Sequence, residues 1–180
     1  GLLLFTEPKE ALPARHELAL DALKQAVAMA GAEEVGEYWV GFKAWDAYLT
    51  KLRGLQGAAV ETLGDAMLGN SWIYECLAQY RSAVAQYLRD VADEFTPNVA
   101  LHLLKAADLY DRMANQVLRD EEHCVITAAP MPWSLAEGEV WTDEMRAAQI
   151  DRLEAALPLE REAVREIEMA LDAAGASAGQ

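Results

Sequence analysis

Basic residues are scarce in this chain: 15 Lys and Arg stand against 30 Asp and Glu, for a net charge of −15. Phosphate backbones are bound by clustered Lys and Arg, so nucleic acid is not an expected partner. The same shortage argues against an anionic membrane surface. No apolar run approaches the roughly 20 residues that cross a bilayer. Cysteine is nearly absent. Cys76 and Cys124 show no metal or redox spacing and read as two free thiols in a reducing compartment. A soluble, acidic, cytoplasmic protein is the expectation. Catalytic signatures are missing as well. There is no phosphate-binding glycine loop, no dinucleotide fingerprint and no His-Glu-x-x-His helix.

What the chain does have is helical periodicity. It contains 180 residues, 53% of them hydrophobic, which suits one domain with a sizeable core. Ser71 to Phe95 reads as one long helix with an apolar stripe of Ile73, Leu77, Tyr80, Val84, Tyr87 and Val91. Ser71 is its expected cap, and Thr96-Pro97 ends it and starts the next helix.

The remaining helices fall around this one. The first is expected over Pro13–Ala30, with Leu20, Leu23, Val27 and Ala30 inward and Gly31 as its stop. The second is expected over Gly36–Leu52, with Tyr38, Phe42, Trp45, Leu49 and Leu52 inward. Gly41 within it would allow close packing. A short helix over Ala58–Leu68 turns Val60, Leu63 and Met67 inward. Pro97–Glu121 carries Val99, Leu103, Ala106, Tyr110, Met113 and Val117. The last helix starts at Thr142 with Ile150, Leu153, Leu157, Val164, Ile167 and Leu171 on its stripe, and Pro158 should kink it. Between these, residues 124–141 break the pattern, with Trp133 and Trp141 as expected anchors. The expected fold is all-α, an antiparallel bundle of five to six helices. Residues 1–12 form a short extended segment, 13–175 the bundle and 176–180 a flexible tail.

Candidate chemistry is sparse. Asp120-x-x-His123 half-matches a di-iron motif but has no second copy, so no metal or other cofactor is expected. Cys76 and His102 would sit at opposite ends of antiparallel helices, which rules out that nucleophile pair. No catalytic residue is assigned. Polar groups on apolar stripes are the better lead. Tyr80, Tyr87, Tyr110 and Glu160 are all expected to point inward, with Arg81 as a possible ion partner for Glu160. Either they form a network that fixes helix register, or they form the polar floor of a ligand pocket. The pocket set is Trp45, Tyr80, Arg81, Tyr110 and Glu160. Ten of the fourteen aromatics lie between Tyr38 and Phe95. Trp39, Trp72 and Tyr74 fall off the stripes and are expected to form a surface for another domain or subunit.

The order of segments carries a resemblance. A short LLLF strand precedes PARHELALDALKQAV and GFKAWDAYLTKL. Next come NSWIYECLAQYRSAVAQYLRDVAD, HLLKAADLYDRMANQVL and LEAALPLEREAVREIEMAL. Nearly the whole chain resembles the helical C-terminal part of butirosin-biosynthesis-H-like proteins. In that family a papain-like domain carrying the nucleophilic cysteine precedes such helices. The resemblance implies that LLLFTEP is the last strand of that domain, and it brings no catalytic residue to this chain. The expected function is a non-catalytic helical module for interaction or substrate support. Its partner would be a second copy or a preceding domain. The alternative is a small-molecule-binding or enzymatic bundle.

Overall fold

Five α-helices build the described part of the structure. The computed structural model describes residues 13–59, 63–119, 128–130, 135 and 139–177. Helix α1 spans Arg15–Gly31, α2 Gly41–Arg53, α3 Gly64–Ala92, α4 Pro97–Arg112 and α5 Asp143–Ser177. The expected all-α bundle is therefore observed. The LLLF segment, Val60, Asp120, His123, Cys124 and Trp133 lie outside the described residues, as does the tail from 178.

Local chemistry accounts for most of the helix ends. The Glu17 carboxylate accepts the Ala14 backbone N–H at 3.1 Å, closing the start of α1. Pro97 opens α4, where a missing N–H costs nothing. Thr142 Oγ1 accepts the Met145 N–H at 3.2 Å at the start of α5. That helix then runs unbroken through Pro158.

Three boundaries differ from the periodicity reading. The second helix begins at Gly41, because residues 34–39 form a small antiparallel hairpin instead. Strands β1 (Glu34–Val35) and β2 (Tyr38–Trp39) pair Glu34 with Trp39 and Val35 with Tyr38, and Gly36 turns at φ +63°. Tyr38 is consequently at the surface and not in the core. Of the short helix expected over Ala58–Leu68, Gly64–Leu68 is the start of the long helix α3, Ala58 and Ala59 are not helical, and Ser71 lies inside α3 rather than at its cap. Helix α4 stops at Arg112 and continues as a π-helical turn over Met113–Val117.

Pairings across the bundle set its topology. Asn70 meets Gln149 and Arg81 meets Glu160, each pair 79 residues apart, so α3 and α5 run parallel and in constant register. Helix α4 returns between them and packs along both. Helices α1 and α2 pack against α5. Arg15 at the start of α1 reaches Glu94 beyond the end of α3, and Tyr48 late in α2 reaches Asn70 early in α3. The α1–α2 run is therefore antiparallel to α3.

The core of this bundle rests on small residues at heptad spacing. Ser71, Ala78, Ala85 and Ala92 on α3 are each at most 2% exposed. Gln149, Ala156, Ala163 and Ala170 on α5 are fully buried at the same spacing. Ala106, Ala107 and Ala114 lie between them. Side chains this short let helix backbones approach closely, and the seven-residue repeat keeps one seam facing the partner. Larger core groups such as Leu88, Leu103 and Leu153 fill the spaces between the alanines.

This arrangement overturns the expected inner face of α3. Half of the stripe of large apolar residues is outside the core: Ile73, Tyr80 and Tyr87 are 54%, 61% and 40% exposed, whereas Leu77 and Val84 are half-buried against the core and Val91 belongs to it as expected. The face beside it, through Tyr74, Ala78, Ala85 and Leu88, is the buried one.

Candidate functional site

The displaced stripe of α3 forms one wall of a cleft. Its opposite wall comes from α1 and α2, through Ala26, Val27, Phe42 and Trp45. Val164 and Ile167 of α5 line its base. The cleft encloses about 760 Å³, within the usual range for small-molecule pockets. It exists because α1 and α2 pack on α5 and meet α3 chiefly through polar contacts at their two ends.

Those end contacts hold the walls apart at a defined width. At one end Arg15 donates to Glu94 Oε1 at 2.9 Å and to the Asp90 carbonyl at 3.1 Å. At the other, Tyr48, Asn70 and Gln149 form a closed knot. The Tyr48 hydroxyl donates to Asn70 Oδ1 at 2.7 Å, and Gln149 Nε2 donates to the same oxygen at 2.7 Å. Asn70 Nδ2 returns a bond to Gln149 Oε1 at 3.0 Å. Burial pushes the Tyr48 phenol well above its ordinary pKa, so it stays a donor.

The α1–α2 wall is fixed from behind. Gly41 adopts φ +55°, and a Cβ there would stand 2.2 Å from the Ala30 carbonyl oxygen. Glycine therefore lets the start of α2 sit directly against the end of α1. The Arg161 guanidinium covers the Phe42 ring at 4.3 Å from its centroid. Lys43 ties the hairpin down through Glu33 and Glu34 at 3.0 and 3.1 Å.

At the floor lies one ion pair. Arg81 Nε donates to Glu160 Oε2 at 2.7 Å and Nη2 donates to Oε1 at 2.8 Å, a two-point fork. The guanidinium also lies 5.9 Å from the Tyr110 ring centroid. Burial works against the Arg81 charge, but Glu160 outweighs it and holds the guanidinium above its ordinary pKa. Burial, and then the Glu160 charge, push the Tyr110 phenol well up, with Arg81 opposing. Each Glu160 oxygen accepts one bond from Arg81, and burial keeps the Tyr110 phenol protonated.

All five residues of the pocket set, Trp45, Tyr80, Arg81, Tyr110 and Glu160, line this cleft. Tyr110 and Glu160 are buried at its floor, whereas Tyr80 and Tyr87 stand at its rim and not inside the bundle core. Cys76 lines the α3 wall as a free, half-buried thiol. His102 bonds Glu166 at 2.7 Å on the α4–α5 face. Among the described residues no three His, Cys, Asp or Glu side chains come together as a metal site.

The surface set divides. Trp39 and Trp72 are exposed, at 58% and 53%. Tyr74 is fully buried, and its hydroxyl donates to the Leu118 carbonyl at 3.0 Å. It falls off the stripe of large residues but belongs to the alanine-rich face, which is the buried one. The Tyr48–Asn70–Gln149 knot escaped the periodicity reading, although Gln149 holds a heptad position with Ala156, Ala163 and Ala170. Among the described residues no helix is long and apolar enough to cross a membrane. Comparison with protein-family models, with curated proteins and with solved structures finds no match to this chain.

Proposed function

We propose that the protein is a binding bundle that holds a mostly apolar small molecule in the cleft between α1–α2 and α3, without transforming it. One observation carries this reading. Three large apolar side chains of α3, Ile73, Tyr80 and Tyr87, are exposed and do not hold the helices together, yet they face a second apolar wall across an open space. Alanines do the packing instead. An apolar concavity of this size with a few convergent polar groups is the usual form of a ligand site. A neutral dye that fluoresces in apolar surroundings, N-phenylnaphthylamine, tests it. The wild type should bind one dye per chain saturably. Val84→Trp, which fills the cleft, should abolish binding while keeping the helical circular-dichroism spectrum. Equal binding by both proteins would remove the reading.

A second reading rests on Tyr38, Trp39 and Trp72, which are 76%, 58% and 53% exposed. Aromatics of this kind anchor protein contacts. The partner would be a second copy or a preceding domain such as the resemblance to butirosin-biosynthesis-H-like proteins implies. Light scattering on a size-exclusion column distinguishes a dimer from a monomer, and Trp39→Ser/Trp72→Ser should dissociate the former. Two thiols and a net charge of −15 suit a cytoplasmic location under either reading.

A further inference from the structure

Resting on the cleft reading above, we infer that the occupant is an uncharged apolar molecule bearing a hydrogen-bond-accepting oxygen, of the ketone, ester or amide class, which meets Arg81 and Tyr110 at the floor.

The hydrogen-bonding capacity that opens to the cleft from the floor is mainly that of Arg81. A guanidinium carries five N–H donors and no acceptor. Two of them, on Nε and Nη2, go to Glu160. The Nη1 amino group makes no hydrogen bond among the described residues. Tyr110 also lines the cleft, and burial keeps its phenol protonated. Each Glu160 oxygen already accepts one bond from Arg81. Glu160 keeps further lone pairs but is the more deeply buried partner, so the groups that open to the cleft are donors, and the group that satisfies them is an acceptor oxygen. Of the two ionic partners, Arg81 is the one that opens outward, with 23% of its side chain exposed against 8% for Glu160.

Charge decides between a neutral acceptor and a carboxylate. The pair is neutral as a whole. An anion brought to Arg81 would leave water and come to rest beside the Glu160 carboxylate, and among the described residues no other cation lines the cleft to offset that cost. A cation would meet Arg81. A carbonyl oxygen gains the charge-assisted bond without either penalty.

Three probes of similar shape test the inference by displacement of N-phenylnaphthylamine: butyrophenone, butylbenzene and phenylbutyrate. A purely apolar cleft ranks butylbenzene first. The inference requires butyrophenone to bind about tenfold tighter than butylbenzene, the size of one charge-assisted hydrogen bond, and tighter than phenylbutyrate. In Arg81→Met/Glu160→Leu the dye should still bind and butylbenzene should overtake butyrophenone. Tightest binding of phenylbutyrate, or a ranking unchanged by the double substitution, overturns the inference while the cleft reading stands. Failure of the dye and all three probes to bind overturns the cleft reading itself. Self-association that Val84→Trp abolishes would place a second copy in the cleft and overturn both.

Discussion

Arg81 and Glu160 grip each other by two points across the bundle diagonal, at 2.7 and 2.8 Å, and join α3 to α5 beneath the cleft. Glu160 is the deeper of the two, so removing its partner leaves a carboxylate buried and unpaired. Arg81→Ala should cost about 3 kcal/mol of unfolding free energy, whereas Arg81→Met/Glu160→Leu should stay within about 1 kcal/mol of the wild type. Urea denaturation of the three proteins measures both. A single substitution as mild as the double one would mean that the pair contributes nothing to the fold.

The alanine face of α3 makes a sharper test, because adjacent positions should behave oppositely. Ala85 is fully buried, and Ala85→Leu should cost about 1–3 kcal/mol by overpacking the core. Tyr87 is 40% exposed at the cleft rim, and Tyr87→Ser should change stability by less than about 1 kcal/mol. Thermal melts of the two variants check this. The reverse order would restore the large apolar stripe as the core.

Gly41 holds α1 against α2. Gly41→Ala places a Cβ at 2.2 Å from the Ala30 carbonyl oxygen and strains a left-handed backbone. The expected loss is about 1–3 kcal/mol, together with weaker dye binding as the α1–α2 wall shifts. A neutral effect on the melting temperature and on the dye would contradict the close approach.

Alkaline pH should destabilise the fold through Tyr48 and Tyr110. Both phenols have folded-state pKa values raised by burial. Their stabilising contribution is complete below the unfolded phenol value of about 10, and it is lost as pH rises above that. Each phenol that stays protonated adds a slope of about 1.4 kcal/mol per pH unit in that window. Unfolding measured from pH 9 to 11 should show a shallower decline for Tyr110→Phe than for the wild type. Parallel slopes would mean that the Tyr110 phenol titrates normally in the fold.

The five helices were legible because their apolar spacing and their Pro and Gly punctuation agree. Trp45, Leu49 and Leu52 of α2, Leu103 of α4, Met113 of the π-helical turn, and Leu153 and Ile167 of α5 are buried as their spacing requires. The face of α3 was not legible from side-chain size. Hydrophobic periodicity ranks Ile73, Tyr80 and Tyr87 above Ala78, Ala85 and Ala92, but close helix packing selects the small residues. The heptad alanines were visible in the sequence and carried the better signal. That choice of face is what misplaced Tyr74 on the surface. It also hid the cleft, because a stripe assigned to the core leaves no wall to spare. The hairpin at Glu34–Trp39 was masked by aromatics that continue a helical spacing into Gly41. The grouping of Trp45, Arg81, Tyr110 and Glu160 was within reach because a charged residue on the apolar stripe of α5 needs a partner nearby.

Cys76 offers the most direct measurement of the central claim, since its thiol lines the α3 wall of the cleft. In a Cys124→Ser protein, the rate of Cys76 alkylation by N-ethylmaleimide can be followed with and without saturating N-phenylnaphthylamine. If the cleft holds the ligand, alkylation slows by about tenfold or more, the effect expected of a site nine-tenths occupied or better. An unchanged rate at full dye occupancy would show that the ligand sits elsewhere, and the account of the cleft would be wrong.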